Sequence, residues 1–224
     1  MAPPDSPSRA WTIRPSLSKD RAQIRAIAVE TADCGNPSPG LFGDRELLAD
    51  WLTDYYLQRE PRATFVAVEG EKVLGYLTGC LNTARYNKAM VAVSAMALWR
   101  AVKRGVFFRK ETWATVGRAA GTAGRTKPYK NKMTVQQFPA HFHLNIRLEC
   151  RGKGMGKALI DSFLSLARAA GVSGIHLGSR ADNPFRPFFE RAGFREAGRG
   201  RLPSWSLEGA AVHEVVLYVK DLTL

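Results

Sequence analysis

The run Arg151-Gly152-Lys153-Gly154-Met155-Gly156 is the segment whose residue types and spacing most clearly suit chemistry. Glycine lets backbone approach a ligand without interference from a Cβ. Free N–H groups at a helix start, with the helix dipole behind them, form an anion site. Arg151, Lys153 and Lys157 add positive charge. The natural ligand is a pyrophosphate. Two familiar phosphate turns do not fit. A P-loop needs Gly-Lys followed by Ser or Thr, and here Gly156-Lys157 is followed by Ala158. A dinucleotide fingerprint needs Gly-x-Gly-x-x-Gly early in a domain. Here the glycines fall at 152, 154 and 156, late in the chain.

Just upstream, 141–148 alternates as a strand does, which puts His141, His143 and Asn145 on one face. An imidazole titrates near neutrality, so His143 is a candidate general base, directly or through water. The plainer account is that both histidines pack or face solvent. Asn145 cannot be a base but could orient substrate or water. Cys150 beside Arg151 could be an activated thiol, although a small residue ending a strand is the simpler account. His176, between Ile175 and Leu177, reads as a core or surface histidine. No metal-ligand spacing occurs.

Such a turn needs a strand before it and a helix behind it. The strand at 141–148 is expected to run straight into the glycines. Met155, Leu159, Ile160, Phe163, Leu164 and Leu166 then form a helical stripe ending at Gly171. Upstream, 11–14 reads as a strand stopped by Pro15. Ser18 is placed to cap a helix running to about Thr31, with Ile24, Ile27 and Ala28 on its apolar stripe. The segment 34–43 is a loop. Asp44 is placed to cap a second helix carrying Leu47, Leu48, Trp51 and Tyr55. The segments 63–68 and 72–80 form a hairpin around Glu69-Gly70-Glu71. A mostly buried helix over 89–102, another over 106–119 and a polar, mobile loop over 121–132 follow. Downstream come a strand at 174–178, a short helix at 184–192 and strands at 194–201 and 212–220. Hairpins mixed with crossovers predict an α/β fold: a partly parallel sheet of six to seven strands with helices on both faces.

The 224 residues fit one domain over 11–224, with a tail at 1–10 expected to be disordered. Three widely spaced cysteines form no CxxC pair, which argues against a disulfide framework or zinc site and suits a reducing cytoplasm. The apolar stretch 89–98 is far shorter than the roughly 20 residues that span a bilayer, so no membrane partner is expected. Net charge is +13. Between 84 and 135 twelve Lys/Arg stand against Glu111 alone, so twelve minus one puts +11 in one insertion. That excess reads as a solvated face, or as an electropositive lid. A nucleic-acid module would also carry such charge, but no helix-turn-helix, zinc or RNP signature supports one.

Arg151, Gly154 and Gly156 match every fixed position of the Arg/Gln-x-x-Gly-x-Gly/Ala pattern of GNAT N-acetyltransferases, and the chain resembles that superfamily from Ile13 to its last strand. Phe188-Phe189-Glu190-Arg191-Ala192-Gly193-Phe194 is similar to the family's second conserved segment. Gly40-Leu41-Phe42-Gly43-Asp44, the long insertion and Phe138-Pro139-Ala140-His141 resemble the acetyltransferase-like domain of eukaryotic O-GlcNAcases and its stand-alone bacterial counterparts. Those eukaryotic domains depart from the glycine pattern; this chain keeps it, which favours a working cofactor site.

The resemblance implies a GNAT fold and acetyl-CoA as cosubstrate, with direct attack by a primary amine on a small molecule or peptide. It implies Leu144, Asn145 and Ile146 beside the pantetheine arm. Gly152, Lys153, Gly154, Met155, Gly156 and Lys157, led by Arg151, would hold the pyrophosphate, and Asp182 or Asn183 would contact the cofactor. His143 and Asn145 are the catalytic candidates. A homodimer is compatible with this family. The position of the family's acid tyrosine is held by Phe189, which cannot donate a proton. An acetyl-CoA-binding pseudoenzyme is therefore the alternative.

Overall fold

A computed structural model describes residues 10–38, 40–204 and 212–223; the expected tail lies outside this range except for Ala10. Seven strands form one sheet in the order β1-β2-β3-β4-β5-β7-β6. They are β1 (Thr12–Pro15), β2 (Thr64–Glu69), β3 (Lys72–Cys80), β4 (Ala140–Ile146), β5 (Gly174–Arg180), β6 (Arg195–Pro203) and β7 (Val212–Asp221). Every neighbouring pair is antiparallel except β4 with β5. The expected mixed sheet is therefore present, with one parallel pair at its centre.

The pleat of the sheet sorts the core into two layers. Tyr76 and Leu77 are adjacent and point to opposite faces. On the Tyr76 face, α1 (Arg21–Glu30) buries Ile24, Ile27 and Ala28 against Val66, Val68 and Val73. On the Leu77 face, α6 (Met155–Ala169) buries Leu159, Ile160 and Phe163 against Phe142 and Leu177. Each of those side chains contributes roughly 1.5–3 kcal/mol of burial. α6 is thus held rigidly beneath β4, and its first turn is fixed relative to the strand. α7 (Arg186–Arg191) packs Phe188 and Phe189 beside it.

Several local expectations change. Ser18 is not the cap of α1. It lies in a 3-10 turn, Ser18–Asp20; the residue before α1 is Asp20, whose carboxylate makes no cap bond to α1 and instead accepts from Leu17 N–H at 2.7 Å and from Arg14. Asp44 does cap α2 (Arg45–Arg59), accepting from Leu47 N–H at 2.6 Å. A 3-10 turn, Leu148–Cys150, separates β4 from the glycine run, so the strand does not feed it directly.

The insertion is helical but not mostly buried. Its first helix, α3, spans Thr83–Lys103, beginning six residues earlier than expected, capped by Asn82. It forms an outer layer on α2, not a layer on the sheet. Ala97 and Ala101 face inward beside Leu47, while Val91 is 74% exposed and Trp99 55%. Both sides of α3 are apolar, so composition alone suggested burial all round. α4 (Lys110–Ala120) and α5 (Lys132–Gln137) complete the insertion. The loop expected to be mobile is pinned near its end: Lys127 pairs with Arg201 in both directions, and the Tyr129 ring lies against Gly178. Among the described residues no helix is long and apolar enough to cross a membrane.

Charge inside the helical layer has a definite architecture. Asp44, Asp50 and Asp54 on or before α2 are buried. Asp54 receives Arg21 at 2.6 Å, Arg25 at 3.2 Å and Arg100 at 2.6 Å; Asp44 receives Arg104 at 3.1 Å. Arg85 pairs with Glu60. Three of the twelve basic residues of the insertion therefore point inward and hold α3 to α2, which weakens the lid reading. Removing one carboxylate leaves several guanidiniums without compensation, and such losses cost about 3 kcal/mol. Asp54→Ala should lower stability by about that amount in urea denaturation, and Asp54→Asn by less.

Candidate active site

The site begins where the sheet opens. β4 and β5 pair only at Ala140↔Ile175 and His141↔His176. Beyond His141 the two strands part, although each continues for several residues. The gap is the floor of a cleft of about 1530 Å³. Ligand pockets of drug size occupy roughly 300–1,000 Å³. The cleft therefore has room for a long cosubstrate and a second reactant together.

Leu144–Ile146, the glycine run and the ends of β5 and α7 all line the cleft. Gly152 and Gly154 have φ of 76° and 82°, left-handed values that a side chain would strain. A Cβ on either would meet no protein atom within 4 Å, so both faces open into the cleft. The first amide of α6 with a backbone partner from the turn is Ala158, which donates to Gly154 at 3.2 Å. No side chain caps this helix. The amides of Met155, Gly156 and Lys157 are thus free of helical acceptors, as an anion cradle requires. These features fit a pyrophosphate.

The charged residues around this turn divide differently from the expectation. The Arg151 guanidinium turns inward: it donates to Ile146 O and Gly35 O, both at 3.1 Å, and stacks on Phe185 at 4.5 Å. Its side chain is a brace. Lys157 pairs with Asp161 at 2.7 Å, while Lys153 is exposed at the turn. Asn183 lines the cleft and is fixed on both sides, donating to Ser179 and accepting from Phe185 N–H, both at 3.0 Å. Asp182 is paired with Arg180 at 2.5 Å, which holds its carboxyl below the usual range. Gly156 faces Phe188, where a Cβ would come within 3.0 Å of the ring.

The three polar residues of β4 share a face, as the alternation predicts, but differ in setting. His141 is buried: Tyr56 hydroxyl lies 2.9 Å from Nε2 and Thr83 Oγ1 2.6 Å from Nδ1. Thr83 donates to Pro139 O, so Nδ1–H of His141 donates to Thr83, and Tyr56 donates to Nε2. That ring is satisfied as a neutral packing group. His143 opens to the cleft. Asn145 donates to the hydroxyl of buried Tyr76 at 2.8 Å.

His143 is exposed to the cleft, yet neighbouring protein, with Lys130 and His176 close by, lowers its pKa below that of a free imidazole. His176 is likewise lowered to about 4, chiefly by burial; its Nδ1–H donates to Phe138 O. Lys130 comes from the insertion, and nothing in local sequence marks it as a neighbour of this face. Arg180 with Asp33, and Trp51 with Leu98 on the far wall, also escape sequence reasoning, because each pair joins residues distant in sequence.

These shifts fix the sign of a pH dependence. An unfolded imidazole takes a proton near 6.5 and buried His176 near 4, so stability present above pH 6.5 is lost as pH falls through that window. Buried His176 alone contributes on the order of 3 kcal/mol across it. Thermal melts should therefore fall steeply between pH 6.5 and 4, and His176→Phe should flatten that slope.

The comparisons with known proteins follow the same geometry. A family model described as "Acetyltransferase (GNAT) domain" matches residues 129–205. The structure is similar to that of SsHAT, 24% identical over 95% of this chain and 98% of the other, with a TM-score of 0.63. It is also similar to yncA of Salmonella typhimurium, a putative acetyltransferase seen with its cofactor acetyl-CoA. That match has 14% identity, covers 96% and 95% of the two chains, and has a TM-score of 0.53. A ribosomal-protein-alanine N-acetyltransferase from Brucella melitensis matches at 17% identity, with 94% and 99% coverage and a TM-score of 0.54. At these identities the structures establish the shared fold. Residues 129–205 thus match the model of an acetyltransferase domain of the GNAT type, and the chain as a whole shares the fold of these acetyltransferase structures.

Proposed function

We propose that this chain transfers an acetyl group from acetyl-CoA to a primary amine by direct attack. The observation that carries the reading is the unpaired edge of β4 beyond His141, which leads through one short turn to the uncapped start of α6. In this reading the backbone of Leu144, Asn145 and Ile146 runs along the pantetheine arm, and the amides from Gly152 to Lys157 receive the pyrophosphate. Lys153 adds charge there. Asn183 shapes the wall beside it.

Acetyl-CoA supplies an activated carbonyl. The amine nitrogen bonds to that carbon, the carbon–sulfur bond breaks and the sulfur leaves as a thiolate. The amine must lose one proton and the sulfur must gain one. Neutral His143 accepts the first, directly or through water in the open cleft. With its pKa lowered it is a weaker base than a free imidazole but, once protonated, a stronger acid. It therefore gives the proton up readily to a thiolate, whose own pKa is near 8.5 in free thiols. No tyrosine is then required at position 189. Tyr218, beside Phe189, is buried and donates to Glu190, so it does not replace the missing acid. Asn145, held by Tyr76, orients water or substrate.

The closer likeness to the acetyltransferase-like domain of O-GlcNAcases belongs to this proposal. Of the segments that carry it, Gly40 to Phe42 line the cleft, and 138–141 brings β4 to the point where the sheet opens. Phe189 supports the second reading, a domain that binds acetyl-CoA without turning it over.

Acetyl-CoA should raise the melting temperature, since a ligand of the folded state stabilises it. An unshifted melt at saturating acetyl-CoA would sink both readings. Gly154→Val should abolish the shift, because its Cβ strains the turn and its side chain fills the cradle. His143→Ala should keep the shift and lower kcat by about 10²–10⁴. In the protein with His143 intact, kcat/KM should rise from pH 6 to 9 with deprotonation of the amine, without an acidic limb near 6.5. A pseudoenzyme would bind and show no turnover at any pH.

A further inference from the structure

We propose that the amine acceptor is a monoamine carrying an apolar, preferably aromatic, body, and that this body docks on the cleft wall formed by α2, α3 and the loop before α2. The proposal rests on the acetyl-transfer reading above. Besides the glycine turn, the cleft is lined by Leu41, Phe42, Leu48, Trp51, Leu52 and Leu98, from α2, α3 and the loop before α2. Trp51 is 44% exposed and Leu98 41%, both opening toward the cleft from different helices. Large apolar side chains left uncovered inside a concave site are where ligands bury apolar surface.

Charge points the same way. A polyamine or aminoglycoside keeps several ammonium groups, which carboxylates must receive. Among the described residues the acids that line this cleft are Asp33 and Asp182, and both already hold Arg180. The buried acids of α2 face the opposite direction, toward Arg21, Arg25 and Arg100. Arg151, Lys157, Arg180 and Arg191 line the same cleft. The described lining thus offers a polycation no unpaired carboxylate, whereas a single amine needs none, because it attacks in its neutral form. Its binding must then come from the rest of the molecule, and the wall on offer is apolar.

Two sources share this chemistry: a small arylalkylamine, or a peptide N-terminus beginning with a large apolar residue. Thiol release by the full chain with acetyl-CoA would be measured for tryptamine, phenethylamine and a Phe-initiated tetrapeptide, against spermidine and kanamycin. The apolar amines should show kcat/KM at least about tenfold higher, the scale of discrimination by an apolar pocket. Preference between tryptamine and the tetrapeptide then separates the two sources. Trp51→Ala should raise KM for the preferred amine by about tenfold while the melting shift given by acetyl-CoA is unchanged. Leu98→Ser, on a separate helix, is the second variant should Trp51→Ala fail to fold.

Preference for spermidine or kanamycin overturns the proposal. So does an unchanged KM in the Trp51 or Leu98 variant, or a binding-competent protein that acetylates none of the five. A preference for hexanoyl-CoA over acetyl-CoA that Trp51→Ala abolishes also overturns it, because the wall would then hold the acyl chain. Loss of the acetyl-CoA melting shift in the parent protein would instead overturn the acetyl-transfer reading itself.

Discussion

The parting of β4 from β5 is the constraint on which the rest of this molecule depends. Two residue pairs join the strands, and then the only parallel seam among the described strands opens. An opened seam leaves backbone donors and acceptors facing a gap, and such groups need partners. Each neighbouring element serves that gap. α6 is held under β4 by Leu159, Ile160 and Phe163, which places an uncapped helix start at the end of the opening. The 3-10 turn at Leu148–Cys150 sets the distance between strand edge and helix start. The loop before α2 and the far end of β5 close the sides.

A second organising element is the acidic row of α2. Buried carboxylates are costly unless paired, and here arginines from both neighbouring helices pair with them. Asp54 is reached from α1 by Arg21 and Arg25 and from α3 by Arg100. The arrangement fixes the outer helical layer through charge, with a thin apolar contact at Ala97 and Ala101. It also explains how a strongly basic insertion joins the domain without a large core of its own. Other positive residues, such as Lys88 and Lys103, are left on the outer surface with the apolar stripe of Val91, Trp99 and Val102, while Lys130 turns toward His143.

Much of this was legible in sequence because it is local. The glycine turn, the Asp44 cap, the α6 stripe and the strand alternation at 140–146 all depend on neighbours within a few residues. The failures are long-range. The lowered pKa of His143 was not legible, because its environment comes in part from Lys130 and His176, distant in sequence. Arg151 looked like a phosphate ligand, because the carbonyl of Gly35 is invisible from position 151. α3 looked buried, because composition reports how apolar a helix is and not which layer it occupies. Trp51 and Leu98 each read as ordinary stripe residues; only folding makes them one wall.

The brace formed by Arg151 has a consequence for how the domain is made. Its guanidinium joins the carbonyl of Gly35, from the first sixth of the chain, to the end of β4 and to the ring of Phe185. A chain emerging from the ribosome delivers Gly35 long before either partner. The α1–α2 loop therefore waits, without this anchor, until more than half of the protein has been synthesised. The cleft is consequently one of the last features to mature, and an incompletely made chain lacks the brace that sets it.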